Sequence, residues 1–323
     1  MQKWFDNKIS DAKVLDFSME LYRKKFKSLI GYQILFSIMS IFIVIAGGLI
    51  CVPLLTWVDF GSTFGFIIFG FVMFIGLVTF VCMNKAGIFH MAYGYVNGED
   101  VGASEAVGKA FSSFKPILRI VTALAVCLLP IIIIMGIGGV KLTTITMLQK
   151  KLASGTIWVI VINALVSSFI MAIIGTYLFY AIHIAIFEES KGFESIKKSI
   201  RFAKGEVFKN FFRVLSISMF EWGVNLSVYS AIGVISSFVC FLLGKVQGGE
   251  SIVSQIIMYG IIVRPILNFV LGILLGPVGP IIWTLYYINM KYKTEGLKID
   301  HMIDRLKQKG DEDNFITLDT NIE

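Results

Sequence analysis

The sequence predicts an all-α polytopic membrane protein: six transmembrane helices as three repeated hairpins, each preceded by an interfacial amphipathic helix. Three observations carry this. Apolar residues make up 56% of the 323 and charged residues only 16%, against about 25% charged in a soluble domain. The charge is gathered into islands, and the stretches between them run apolar for twenty or more residues, enough to cross a hydrocarbon core of roughly 30 Å. The islands share a register: KKFKSLIGY at Lys24–Tyr32, SSFKPILRI at Ser112–Ile120 and EVFKNFFRV at Glu206–Val214, separated by 88 and 94 residues.

Residues 1–28 hold seven Lys or Arg, and Leu15, Met19, Tyr22, Phe26 and Leu29 keep helical spacing. The segment should therefore close in an interfacial helix. The first span is expected at about Leu29–Leu55. It is too long and too far from the start for a cleavable signal peptide. A short outer turn at Val58–Gly61 leads to the second span, about Thr63–Met83. A polar connector at about 84–116 precedes the third span, about Ile117–Val140. The loop KLTTITMLQKKLASG follows, then the fourth span, about Thr156–Phe187.

Glu188–Arg213 carries seven Lys or Arg and four Glu. Phe193, Ile196, Ile200, Ala203, Val207 and Phe211 recur at steps of three and four, which draws one apolar stripe along a helix. Lys197, Lys198, Arg201, Lys204 and Lys209 fall mostly off it. The fifth span is expected at about Phe211–Leu243. The last apolar region, 252–290, would reach about 58 Å as one helix. It reads as a short outer segment at 252–263 and a sixth span at 266–290, broken near Pro277 and Pro280. Residues 310–323 form an acidic tail expected to be mobile. The rest, 1–309, is one membrane domain with repeat units at about 10–97, 98–191 and 192–295.

Charge sets the orientation. With the N-terminus inside, segments 1–28, 84–119, 188–213 and 291–309 hold seven, four, seven and six Lys or Arg, 24 of the chain's 29. Both termini are then cytoplasmic and the membrane is the cell (plasma) membrane. The +7 net charge follows from this placement rather than from nucleic-acid binding. In each copy Phe sits in the interface and Lys reaches the phosphates, so Phe26, Lys27, Phe114, Lys115, Arg119, Phe208, Lys209 and Arg213 read as interfacial anchors, with anionic lipid head groups as possible partners. Gly98 and Gly192 each stand sixteen residues before the Phe of their copy, and Gly296 starts a truncated copy.

The amphipathic helix, the span pair and a closing Tyr-Tyr-x-x-x-Lys-x-Lys-x-Glu-Gly (Tyr286, Tyr287, Lys291, Lys293, Glu295, Gly296) resemble the membrane domain of bacterial glycerophosphoryl diester phosphodiesterases and related stand-alone multi-pass proteins, over roughly 10–305. The resemblance implies a fold. The catalytic domain of the fused proteins is a separate metal-dependent barrel, to which nothing in this sequence corresponds.

Chemistry-bearing residues are sparse. Cys51, Cys82, Cys127 and Cys240 all lie in apolar runs. His90, His183 and His301 have no partner at metal spacing, so no metal or cofactor is expected. His90 and His183 read as packing residues at near-equivalent repeat positions. Glu221 stands eight residues past Arg213, about 12 Å deeper along the helix, with Asn225 one turn on. An acid at that depth is a packing residue or a coupling site for protons or cations. Arg264 is embedded near the outer side. The Gly276–Pro280 break is either a plain kink or a cavity lining. Glu221, Asn225, Arg264, Pro277 and Pro280 are thus the ligand-binding or coupling candidates. No GxSxG, HExxH or P-loop is present, so no enzyme is expected. Three functions stay open: a non-catalytic module that transports or accommodates an amphiphilic, lipid-like or peptide ligand; an accessory scaffold that binds a membrane or cytoplasmic protein partner through its basic helices; and a membrane enzyme of lipid head-group metabolism, on the resemblance alone.

Overall fold

The computed structural model describes residues 11–57, 63–148, 153–247 and 264–295. Every element among them is a helix: α1 Asp11–Lys24, α2 Phe26–Trp57, α3 Thr63–Asn97, α4 Ala103–Ser112, α5 Phe114–Leu148, α6 Ala153–Leu178, α7 Ala181–Phe187, α8 Gly192–Lys204, α9 Val207–Gln247, α10 Arg264–Leu275 and α11 Val278–Glu295. The expected outer turn at Val58–Gly61, the outer segment at 252–263, Gly296, His301 and the tail lie outside the described residues.

Five stretches are long and apolar enough to cross a membrane: Phe26–Leu49, Ile68–Asn97, Phe114–Ile131, Val161–Phe187 and Ile266–Thr294. The expected fifth span, Phe211–Leu243, is not among them. It lies within the 41-residue helix α9. The polar connector expected at 84–116 is corrected. Helix α3 continues to Asn97, and Ala86, Ile88, Phe89, Met91, Ala92 and Val96 are buried. Asn84, Lys85 and His90 interrupt the apolar run in sequence, yet the residues between them supply a face that α11 covers. Nor is KLTTITMLQKKLASG all loop. Nothing in Lys141–Leu148 breaks a helix, and α5 runs through it.

The core lies at one end of the bundle, where the short helices meet the starts of α2, α5 and α9 and the ends of α3, α7 and α11. Helix α1 packs on α11, α4 on α2 and α3, and α8 on α5, α6 and α7. Each short helix stops one or two residues before the helix that carries the next Phe-Lys pair, at Lys25, Ser113 and Gly205-Glu206. Backbone bonding carries across these corners, from Leu29 N to Lys25 O at 2.9 Å, Ile117 N to Ser113 O at 3.0 Å and Asn210 N to Glu206 O at 2.8 Å. The corners are therefore bends in nearly continuous helices. Phe26, Phe114 and Phe208 are exposed, as are Lys27, Lys115 and Lys209, while Leu29 and Ile117 point into the core.

The two marker glycines serve different needs. Gly98 has φ 91° and turns the chain out of α3. Gly192 opens α8 against α5, where a Cβ would stand 2.5 Å from the Arg119 carbonyl oxygen. The apolar stripe expected on Glu188–Arg213 splits. Ile196 and Ala203 are buried with Ser195, Ser199 and Phe202, but Phe193 and Ile200 are exposed. The serines go inward because they find hydrogen-bond partners there.

Candidate functional site

The packed end contains two linked polar clusters. In the first, Arg213 is buried. Its Nη1 donates to Asn210 Oδ1 at 2.7 Å, Glu206 Oε2 at 3.2 Å and Tyr180 OH at 3.2 Å. Tyr180 OH donates to Asn210 Oδ1 at 2.8 Å. The guanidinium lies over the Tyr286 ring, 5.1 Å from its centroid. Lys293 bonds Glu206 Oε1, and Lys209 Nζ stands 3.5 Å from the same oxygen. Arg213 therefore corrects one expectation: it shares a sequence column with exposed Arg119, but it is a buried ion-pair partner and no surface anchor. The cause is the residue two before the Phe, Glu206 in one copy and Ser112 in the other.

In the second cluster, Glu188 receives Lys198 Nζ at 2.5 Å, Tyr287 OH at 2.8 Å and Lys291 Nζ at 3.6 Å. The closing Tyr-Tyr-x-x-x-Lys-x-Lys thus acquires a structural reading. Tyr286 and Lys293 meet the Glu206 cluster, while Tyr287 and Lys291 meet Glu188. One helical strip of α11 binds the two acids that flank α8.

The fourth expected span is not one continuous helix. It breaks at Phe179-Tyr180, and side chains take over the backbone groups left there. Tyr180 N donates to Ser199 Oγ at 3.3 Å, Ser199 Oγ donates to Tyr177 O at 2.8 Å, and Trp283 Nε1 donates to Phe179 O at 2.5 Å. Beyond the break, His183 is fully buried among Phe89, Trp283 and Tyr287. The Thr284 hydroxyl donates to Pro280 O at 2.9 Å, so it accepts from His183 Nε2 at 3.2 Å. His90 repeats the arrangement, 3.0 Å from Ser113 Oγ, which donates to Lys109 O. Both histidines pack as expected, each with a hydroxyl acceptor. Among the described residues His183 Nδ1 and Asn210 Nδ2 are buried without a hydrogen-bond partner.

Outside the spans, the Lys109 side chain holds the Glu105 carboxyl on α4 below its ordinary range. The Glu20 carboxylate raises Lys24 on α1.

The residues singled out for coupling lie elsewhere. Asn225 is exposed on α9. Glu221 is in α9 and Arg264 opens α10, with side chains outside the described set. Pro277 lies in the two-residue break between α10 and α11, and Pro280 is buried in the first turn of α11. The polar groups brought together are instead Tyr180, Glu188, Glu206, Asn210, Arg213, Tyr287, Lys291 and Lys293. The sequence signal for three of them, Tyr287, Lys291 and Lys293, was the closing motif.

No curated protein and no solved structure matches the chain. The family model described as the membrane domain of glycerophosphoryl diester phosphodiesterase matches residues 147–320, a stretch that takes in α6 through α11 and both polar clusters. With more than half of its length matched, the chain belongs to the family of glycerophosphoryl diester phosphodiesterase membrane domains.

Proposed function

We propose that this chain is a non-catalytic integral membrane module of six spans, α9 being the fifth, that accommodates an amphiphilic, lipid-like or peptide ligand between the unpacked halves of its helices. The observation behind this is the contrast between the two ends. On α2, Ile41, Phe42, Ile43, Val44 and Ile45 are each 41–68% exposed. Five successive residues at about 100° apiece sweep the whole circumference of a helix. Residues 41–45 of α2 are therefore bare on every side, including the sides turned toward its neighbours. On α6, Leu165, Val166 and Phe169 are 52–65% exposed along one face. Hydrocarbon chains fit such a space; water does not.

On this reading the packed end is the cytoplasmic one, and the three Phe-Lys corners set its depth in the inner leaflet. The test is photocrosslinking from a diacyl phospholipid with a reactive acyl tail to the reconstituted full chain. Adducts at all five positions Ile41–Ile45, competed by excess unlabelled lipid, are expected. Adducts confined to one face of α2 would mean that the outer half is closed and only annular lipid surrounds it. Transport makes the further demand that Glu221→Gln stop ligand flux in proteoliposomes while the protein still folds; unchanged flux removes that residue from the mechanism. The scaffold reading draws on exposed Lys197, Arg201 and Lys204 of α8. It requires that a defined protein partner co-purify and be lost when these three are replaced.

A further inference from the structure

We propose that the acidic segment 311–319 of this chain docks on the outer face of α8, held there by Lys197, Arg201 and Lys204. The inference concerns the packed end alone and does not rest on the reading of the outer halves.

Helix α8 has two unlike faces. Ser195, Ile196, Ser199, Phe202 and Ala203 are buried on the side that packs on α5, α6 and α7. Lys197, Arg201 and Lys204 recur at steps of four and three on the opposite side, and all three are exposed. Among the described residues no carboxylate lies within ion-pair distance of any of them. The helix itself supplies one acid, Glu194 in its first turn. Phe193 and Ile200 stand beside the cations, 62% and 41% exposed. This face therefore joins positive charge to two bare apolar side chains, and it points away from the helices that α8 packs on.

The segment 311–319, DEDNFITLD, matches it in both respects. It carries Asp311, Glu312, Asp313 and Asp319 with no Lys or Arg, and Phe315, Ile316 and Leu318 stand between the acids. The fold brings the two together. Lys293 bonds Glu206, which is two residues past Lys204, so the described end of α11 at Glu295 lies beside the end of α8. Asp311 follows Glu295 by sixteen residues, a reach of about 50 Å extended or about 24 Å as helix. Helix α8, with 13 residues, is about 20 Å long. Either reach covers it, and the tether holds the acids at a concentration that a free acidic protein does not approach. A docked segment covers the cations that an acidic partner or an anionic bilayer would otherwise meet, so it governs when that face is open.

The full chain in uncharged detergent is acetylated briefly, and the extent at each lysine is read by mass spectrometry. Neutralising the segment (Asp311→Asn, Glu312→Gln, Asp313→Asn and Asp319→Asn together) should raise acetylation of Lys197 and Lys204 about fivefold. Exposed Lys27 and Lys115, at the other corners, should not change. Carbodiimide coupling of the wild type should join carboxylates of 311–319 to Lys197 or Lys204 within one copy. Unchanged acetylation of Lys197 and Lys204 in the neutralised variant, or an equal rise at Lys27 and Lys115, overturns the docking. Coupling found only between isotopically heavy and light copies makes a second chain the donor of the segment and overturns it as well. In vesicles of phosphatidylglycerol and phosphatidylcholine, protection of Lys197 and Lys204 that persists in the neutralised variant makes the bilayer the occupant, which also overturns it.

Discussion

Seven residues separate Glu206 from Arg213, two turns of helix, which puts both side chains on one face. That spacing is why Arg213 can go inside. A buried guanidinium is tolerable only with its charge met and its donors engaged, and Glu206, Asn210 and the Tyr180 hydroxyl do both. Arg119 has Ser112 at the equivalent position and stays exposed. Glu206→Gln removes the charge while keeping the shape, and takes from buried Arg213 the carboxylate on its Nη1. Equilibrium unfolding in mixed micelles should show a loss of about 3–5 kcal/mol. Lys209→Gln, at the exposed edge of the same cluster, should cost about 0–1 kcal/mol. Equal losses would mean that Arg213 is not the dependent partner. The column shared by Arg119 and Arg213 was visible in the sequence. Their opposite fates were not, because they turn on one acid seven residues upstream whose partner Lys293 is 87 residues away.

At the scale of elements, the helix at Phe179-Tyr180 breaks without a Pro or Gly. It breaks because Ser199 of α8 and Trp283 of α11 bond the backbone there, across 19 to 104 residues of sequence. Local propensity carries no trace of such partners, so the segment reads as one span. The break between α10 and α11 was legible for the opposite reason, since Gly276-Pro277 is a local signal. Ser199→Ala should leave Tyr180 N and Tyr177 O without their partner and cost about 1–3 kcal/mol. The loss should be local first. Hydrogen exchange should quicken at the amides of residues 180–184 before it changes in α3. Unaltered exchange across that segment would mean that the break is held by packing alone.

At the scale of the whole molecule, the short helices are not simply set before the helices they introduce. Helix α4 packs on α2 and α3, and α8 on α5, α6 and α7, so each lies under the pair that precedes it. Helix α1 lies under α11, the last of the described helices. The chain thus closes on itself, with first unit against last. The sequence showed the units through Phe-Lys and glycine spacing. It could not show the ring, which exists only in contacts between residues more than 250 apart, such as Tyr22 OH to Leu274 O at 2.5 Å. If closure stabilises the last unit, α1 is a structural part of it and not merely an interfacial appendage. Val14 and Leu21 of α1 are fully buried, each contributing about 1.5–3 kcal/mol at an end where the alternative is water. Deleting residues 1–24 should therefore loosen α11 more than α4, although α4 is nearer in sequence. Limited trypsin digestion reads this directly. Cleavage after Lys291 or Lys293 should accelerate strongly in the truncated protein, while cleavage after Lys109 stays as slow as in the full chain. Acceleration at Lys109 first would mean that α1 supports its own neighbours and that the ring is not closed by it.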